Sequence, residues 1–386
     1  SFDDIKGKRD YALINDLASN AIFAASSADE VYQLPLSGKT PIKSKKWFED
    51  KKVIYVFNAK MLLGLGLIFD ARRVRDLKLM WWLLEPGRKS YQPEALAAKE
   101  LKRDRPENAA ELARAIFEVA PRVRKRLGDE GLLKIYSEIE APLIPILYEM
   151  EQAGIKLNPK PLWSLSKKMA AELAEVEKEI YNAAGGMFNI ASPRKLGEVL
   201  FEKLNITPKG VRRTEKLGVL STRESELAKL KSLHPVIADI LRWREISKIK
   251  STYVDALPKM IDATGRLHST WNQTGTATGR LSSQNPNLQN IPIKSRFGQE
   301  IRKAFIAESG YHLAAFDYSQ LELRIAAELG GDEKMIEAFD RGLDIHTMTA
   351  SEISGVPLEK VTPELRRKAK TLNFGILYGM GGRALG

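Results

Sequence analysis

Arg366, Lys370, Phe374 and Tyr378 recur at four-residue intervals. On a helix of ~3.6 residues per turn such steps drift by about 40°, so the four side chains share one broad face. The row presents two cations, then two aromatic rings. Cations suit a polyphosphate, and an aromatic ring can stack on a base. Gly375 lies inside the same run and costs about 1 kcal/mol in a helix interior, which implies close approach by another group. A merely solvated basic face would not carry Phe374 and Tyr378 in line with its cations.

Asp317 is the second group of interest. Leu313-Ala314-Ala315-Phe316 reads as a buried strand ending on this carboxylate, and Leu321, Ile325 and Leu329 at helical spacing follow it. A carboxylate at the end of a strand can hold a metal ion rigidly in a cleft. The same position also suits a plain helix cap. Upstream, Asn272 to Ser283 is small and polar, with Arg280 as its only charge, and Gln284 to Pro292 is dense in side-chain amides. Carboxamides and arginine match the minor-groove edges of a duplex, whose acceptors occur at every base pair. An ordinary polar turn region is the competing reading of that stretch.

Several elements must position these groups. Thr362-Pro363-Glu364 combines an N-cap, a first-turn proline and an acid, and so starts the helix that carries the Arg366 row. Residues 1–135 read as a compact α/β unit, with a strand at Lys52–Phe57 and a helix-compatible run from Asp76 to Leu84 that stops before Pro86-Gly87. Dense charge from Lys99 to Lys125 reads as a solvated helical face. Ile139, Leu143, Ile146, Leu147 and Met150 fall on one face of a helix that Gly154 ends, and a second helix is expected from about Pro161 to Ala183, with Leu165, Met169, Leu173 and Val176 inward. Ser192 to Lys250 is basic and helical. Its loop cluster Lys209, Arg212, Arg213 and Lys216 fits a phosphate-facing segment or a merely solvated one.

Composition narrows the classes. The 386 residues allow two or three domains. A formal charge of +12, from 61 Lys and Arg against 49 Asp and Glu, favours a polyanionic partner such as nucleic acid, although solubility alone could use it. The absence of cysteine excludes disulfides and thiolate metal sites, and four histidines make a His-rich zinc centre a poor fit. Any divalent metal is expected on oxygen ligands, as magnesium or manganese. No apolar run reaches the ~20 residues that span a bilayer. The start, Ser1-Phe2-Asp3-Asp4, has neither an initiator Met nor signal-peptide character and reads as a trimmed or processed fragment.

Together these segments closely resemble the polymerase domain of family A (DNA polymerase I-like) DNA polymerases. Asp317-Tyr318-Ser319-Gln320-Leu321-Glu322-Leu323-Arg324 is similar to that family's motif A, and Arg366 to Gly379 to its motif B. Thr276 to Ser283, with Gln289-Asn290-Ile291-Pro292, resembles its primer-template segment. The resemblance covers about residues 132–386, including His234-Pro235 and Lys250-Ser251-Thr252-Tyr253. It implies an α/β architecture: an α+β polymerase hand with helical thumb (about 155–260), antiparallel palm (about 134–154 and 261–330) and the start of helical fingers (about 331–386). An exonuclease-like (RNase H-like) α/β domain is expected over 1–133.

The resemblance also implies roles. Asp317 would coordinate two magnesium ions, with manganese as a substitute, and the Tyr318 carbonyl would be a further ligand. Glu322 would exclude a ribose 2′-hydroxyl. Arg366 and Lys370 would grip the incoming dNTP, assisted by Gln320 and His346, and Lys370 would serve as general acid toward the leaving pyrophosphate. Phe374 would pack on the nucleotide, Tyr378 would sit near the templating base, and Thr276, Arg280, Gln289 and Asn290 would contact primer-template DNA. The implied reaction is template-directed, two-metal nucleotidyl transfer in a bacterial or phage-type cytoplasm or an organelle.

Two departures shape the expectation. The family's motif C carboxylate is not found after motif B, so activity is expected to need a C-terminal partner segment that carries it. The first-strand region Tyr11 to Ala25 has no Asp-x-Glu, an apolar residue replaces the acid near Asn58-Ala59-Lys60-Met61-Leu62, and no Tyr-x-x-x-Asp follows near Ala109. Asp76 alone survives, so an exonuclease-like fold without proofreading is expected. A single-subunit RNA polymerase, which Glu322 disfavours, and a non-catalytic DNA-binding or assembly fragment are the alternatives.

Overall fold

The computed structural model describes residues 10–16, 21–27, 29–35, 53–66, 73–206, 220–293 and 295–381. The basic cluster Lys209, Arg212, Arg213 and Lys216 lies outside them. The chain divides into two compact units, residues 1–312 and 313–386.

Strands β1 (Asp10–Asp16), β2 (Ala21–Ala25), β3 (Val31–Pro35), β4 (Val53–Val56) and β5 (Val74–Asp76) form one sheet in the order β3-β2-β1-β4-β5. The β1–β2 and β2–β3 pairs are antiparallel; β1–β4 and β4–β5 are parallel. Helix α1 (Ala59–Gly64) follows β4, and α2 (Leu77–Leu84) follows β5 directly. Helices α3 (Pro93–Leu101) and α4 (Ala109–Asp129) complete the layer. The charge-dense stretch is therefore largely α4, whose Leu112, Ile116, Val119, Val123 and Leu127 recur at three- and four-residue steps and are buried on the sheet, leaving the cations outward.

A short turn α5 (Leu133–Ile135) runs through a π-turn at Tyr136–Glu140 into α6 (Ala141–Ala153). Helix α6 ends at Gly154 as expected. Ala141, Ile144 and Leu147 are buried, while Ile139, Ile146 and Met150 are 53%, 50% and 44% exposed. The first core takes in buried residues from Tyr11 to Ile144.

Beyond β6 (Ile155–Lys156), α7 (Pro159–Ala184) spans the predicted second helix, with Leu165, Met169 and Val176 buried. Short α8 (Pro193–Gly197) and α9 (Glu224–Ala228) precede α10 (Val236–Ile249), which packs along α7. Strand β7 (Arg266–Leu267) pairs antiparallel with β6, and β8 (Thr270–Asn272) with β9 (Ser282–Gln284). Helix α11 (Arg296–Lys303) closes this core against α7, with Phe297 and Ile301 buried.

Residues 313–386 hold α12 (Leu321–Gly330), α13 (Glu333–Asp340), α14 (Ile345–Ser354) and α15 (Pro363–Leu377) around Leu323, Ala327, Phe339 and Ile345. The expected strand before Asp317 is not formed: Leu313 and Phe316 are 59% and 96% exposed, without ladder pairing. An apolar run becomes a strand only when a neighbour satisfies its backbone groups, and no described segment pairs with it. No described helix is long and apolar enough to cross a membrane.

Candidate functional site

In residues 313–386 the Thr362 hydroxyl caps α15 by accepting from Leu365 N. The helix places the expected row on one face. Phe374 and Tyr378 stack at 6.3 Å with an interplanar angle of 17°, and Lys370 Nζ lies 5.9 Å from the Phe374 ring centre. Lys370 is exposed and has no carboxylate partner among the described residues. Arg366 differs: its Nη2 lies 2.6 Å from Asp344 Oδ2.

Asp344 was not singled out from sequence, although an Asp ahead of an apolar helix is a readable cap signal. It caps α14 by accepting from Thr347 N at 2.8 Å, and its other oxygen takes Arg366 and, at 3.4 Å, Gln320 Nε2. Burial pushes its carboxyl up, but the Arg366 guanidinium and the Thr347 donors outweigh that and hold it below the ordinary range. The pair is partly exposed and contributes at most about 1 kcal/mol, so Arg366 can exchange this partner at little cost.

His346 is buried rather than presented on the open face, with 2% exposure and its ring 5.6 Å from Phe374. Burial pushes its imidazole down, Asp344 opposes that, and Arg366 and Lys370 push down again, so the net direction is toward the neutral ring. Asn373 Nδ2 donates to His346 Nδ1 at 3.2 Å, which assigns the ring proton to Nε2. Gln320 caps α12 with a positive φ of 53°, and its Oε1 is buried without a hydrogen-bond partner in the structure. The Tyr378 hydroxyl donates to Glu322 Oε2 at 2.5 Å, tying the carboxylate to the aromatic end of the row. The close approach that Gly375 implied is by Met380: a Cβ at 375 would lie 2.7 Å from Met380 Cε.

Asp317 and Tyr318 are exposed, in a segment without regular secondary structure. The oxygen donor suits a hard cation. Among the described residues, however, no three Asp, Glu or His side chains gather to hold a metal. One carboxylate and one carbonyl do not by themselves make a magnesium site.

In residues 1–312 a cleft of about 1520 Å³ lies between α10 and the amide-rich segment. Its lining includes Arg223, Lys231, Arg242, Arg244 and Lys248 on one side and Asn287, Gln289 and Asn290 on the other. Glu224 and Glu245 line the cleft as well, Arg242 is paired with Glu172 at 2.8 Å, and Arg244 donates to Thr222 O, so Arg223, Lys231 and Lys248 are the cations that best suit a polyanion with hydrogen-bonding edges. The Tyr253 hydroxyl donates to Asn290 O at 2.7 Å and fixes that backbone. Gln289 has an internal duty the sequence did not reveal: its Oε1 accepts from Ser283 N at 2.8 Å and its Nε2 donates to Leu281 O at 3.0 Å. The Thr276 hydroxyl donates to Arg280 O at 2.8 Å, and the Arg280 side chain is exposed. A Cβ on Gly275 would meet Ser282 Oγ at 2.0 Å, so the close return of this loop requires glycine.

Asp76 is a buried cap. Its carboxylate accepts from Asn58 N (3.2 Å), Ala59 N (2.6 Å), Lys78 N (2.9 Å) and Leu79 N (3.3 Å). Burial pushes its carboxyl up, opposed by those amides and by Lys78.

Comparison with known proteins fits this geometry. The sequence model of DNA polymerase family A matches residues 160–386. The thermostable DNA polymerase I of Thermus aquaticus is 46% identical over 314 residues, 80% of this chain and 37% of that protein. That of Thermus filiformis is 42% identical over 368 residues, 94% of this chain and 42% of that protein. The chain thus spans well under half the length of these relatives. The POL domain of Pol1 from M. smegmatis, solved in complex with DNA primer-template and dNTP, is 32% identical with a TM-score of 0.84, covering 97% of this chain and 68% of that one. With its motif segments, mixed α/β architecture and matched sequence in agreement, this chain belongs to DNA polymerase family A.

Proposed function

We propose that this chain is the duplex- and nucleotide-binding part of a DNA-directed DNA polymerase that transfers dNMP from dNTP to a primer 3′-hydroxyl. The observation that carries the reading is the α15 face: an uncommitted Lys370, a loosely held Arg366 and a stacked Phe374–Tyr378 pair beside Glu322. That set matches a triphosphate, a sugar and a base in order along one helix. Arg366 leaves Asp344 for the triphosphate, and Lys370 binds beside it and is placed to protonate the departing pyrophosphate. Phe374 packs on the sugar and base, and Tyr378 lies near the templating base. Glu322, oriented by the Tyr378 hydroxyl, occupies the space a ribose 2′-hydroxyl would need. Thr276, Arg280, Gln289 and Asn290 face the nascent duplex.

In our reading Asp317 and the Tyr318 carbonyl, together with a further carboxylate, would hold two magnesium ions, whose chemistry would be activation of the attacking hydroxyl and stabilisation of the leaving group. A further segment that brings motif C belongs to the same reading. The N-terminal domain does not proofread, because Asp76 is already engaged by four amides. A bacterial-type cytoplasmic setting belongs to the same reading, as do primer-template DNA and dNTPs as partners.

The binding arm of this reading is tested by titrating labelled primer-template with the chain and following anisotropy. With about four phosphate contacts, affinity should fall roughly 100-fold between 50 and 200 mM salt, whatever the sequence. Lys248→Ala should weaken all sequences alike and flatten the slope by about one unit. Salt-independent binding, or a strong preference for one sequence, would refute it.

A further inference from the structure

We propose that Lys60 and Trp82, in the N-terminal α/β domain, are positioning residues for primer-template binding, with Asp76 fixing the helices that carry them. The proposal rests on the polymerase reading above. Trp82 Nε1 donates to Thr276 O at 2.8 Å, and Lys60 Nζ donates to Trp271 O. Lys60 also pairs with Glu151 at 2.5 Å, and Glu151 Oε1 accepts from Trp271 N at 2.6 Å. Both backbone polar atoms of Trp271 are thus held from behind the β8–β9 hairpin. Two residues on, Gln273 Nε2 donates to Glu140 O at 2.9 Å and to Glu140 Oε2 at 2.7 Å.

The chain of support then reaches the DNA-facing side. Trp82 holds the Thr276 carbonyl, while the Thr276 hydroxyl holds Arg280 O. The anchor is therefore one residue away from an exposed arginine that the polymerase reading aims at the duplex. The fit is close: the void lined by Lys60, Lys78, Trp271 and Gln273 measures only about 30 Å³. Trp82 is 3% exposed, and the Lys60 and Glu151 side chains 18% and 16%. Asp76 accepts from the first amides of both α1 and α2, and Lys60 and Trp82 lie on those helices. Asp76 thereby has a use in this domain as the shared anchor of the two helices.

The variants keep the packing and remove the donors: Trp82→Phe, Lys60→Met and their combination, with Lys60→Arg as rescue. Binding to primer-template duplex and to single-stranded DNA of equal length is compared, alongside thermal melting. We expect each single variant to weaken duplex binding five- to tenfold and the double variant more. Single-stranded binding and the melting temperature should hardly move, and Lys60→Arg should restore duplex affinity. Unchanged duplex binding would overturn the proposal, as would duplex and single-stranded binding falling together with melting temperature. If the wild-type chain binds no primer-template, the polymerase reading itself fails, and the proposal with it.

Discussion

Asp76→Ala is expected to destabilise the N-terminal unit by roughly 3–5 kcal/mol, the range for stranding buried hydrogen-bonded partners of a charged group. The deletion leaves four backbone N–H groups, at the starts of α1 and α2, without an acceptor in a site that is 3% exposed. A single lost cap typically costs about 0.5–2 kcal/mol, and here two caps share one carboxylate. Asp76→Asn retains one acceptor oxygen and should cost about half as much. Urea unfolding measures both. The same variants separate a cap from a metal ligand. Chelation should leave the wild-type unfolding midpoint unchanged, and metal-dependent excision of a mismatched primer 3′ end should be absent from wild type and Asp76→Asn alike. Measurable excision by the wild type would contradict the assignment.

The second large effect is expected at Lys370. A charge-assisted hydrogen bond contributes about 1.5–3 kcal/mol, so Lys370→Ala should weaken dNTP binding roughly 10- to 150-fold. Arg366→Ala should weaken it less, because Arg366 must first leave Asp344. By the same argument Asp344→Asn should strengthen dNTP binding, by up to about fivefold, since a partly exposed pair contributes at most about 1 kcal/mol. It also keeps an oxygen for the α14 cap. Titration of the chain–primer-template complex with a fluorescent dNTP reads all three. Equal losses at Lys370 and Arg366, with Asp344→Asn neutral, would show that the ion pair does not compete with nucleotide.

Much of this was legible in the sequence because it rests on local rules. Helix α15 begins at its Thr-Pro-Glu signal, and its four-residue repeat does share one face. The helix after Asp76 and the long α7 follow from apolar spacing and caps. The failures share a cause too. Leu313–Phe316 has the composition of a strand, but pairing is a non-local property that no window of residues contains. The internal duty of Gln289, the reach of Asp76 back to Asn58 and Ala59, and the hold of Lys60 and Trp82 on Trp271 and Thr276 join residues between 6 and 211 positions apart. Such pairs become visible only when the backbone has brought them together.

The most direct test of the polymerase reading is template-directed incorporation of a single dNTP with magnesium. It would use this chain alone, the chain joined to a palm segment bearing motif C, and the joined form with Asp317→Asn. The account predicts no incorporation by the chain alone, addition of only the complementary dNTP by the joined form, and loss of at least about a thousandfold on Asp317→Asn, in line with removal of a metal-centred clamp on the transferring phosphoryl group. Incorporation by the chain alone, or activity that survives Asp317→Asn, would mean that the metal is held by other residues and that the catalytic centre lies elsewhere.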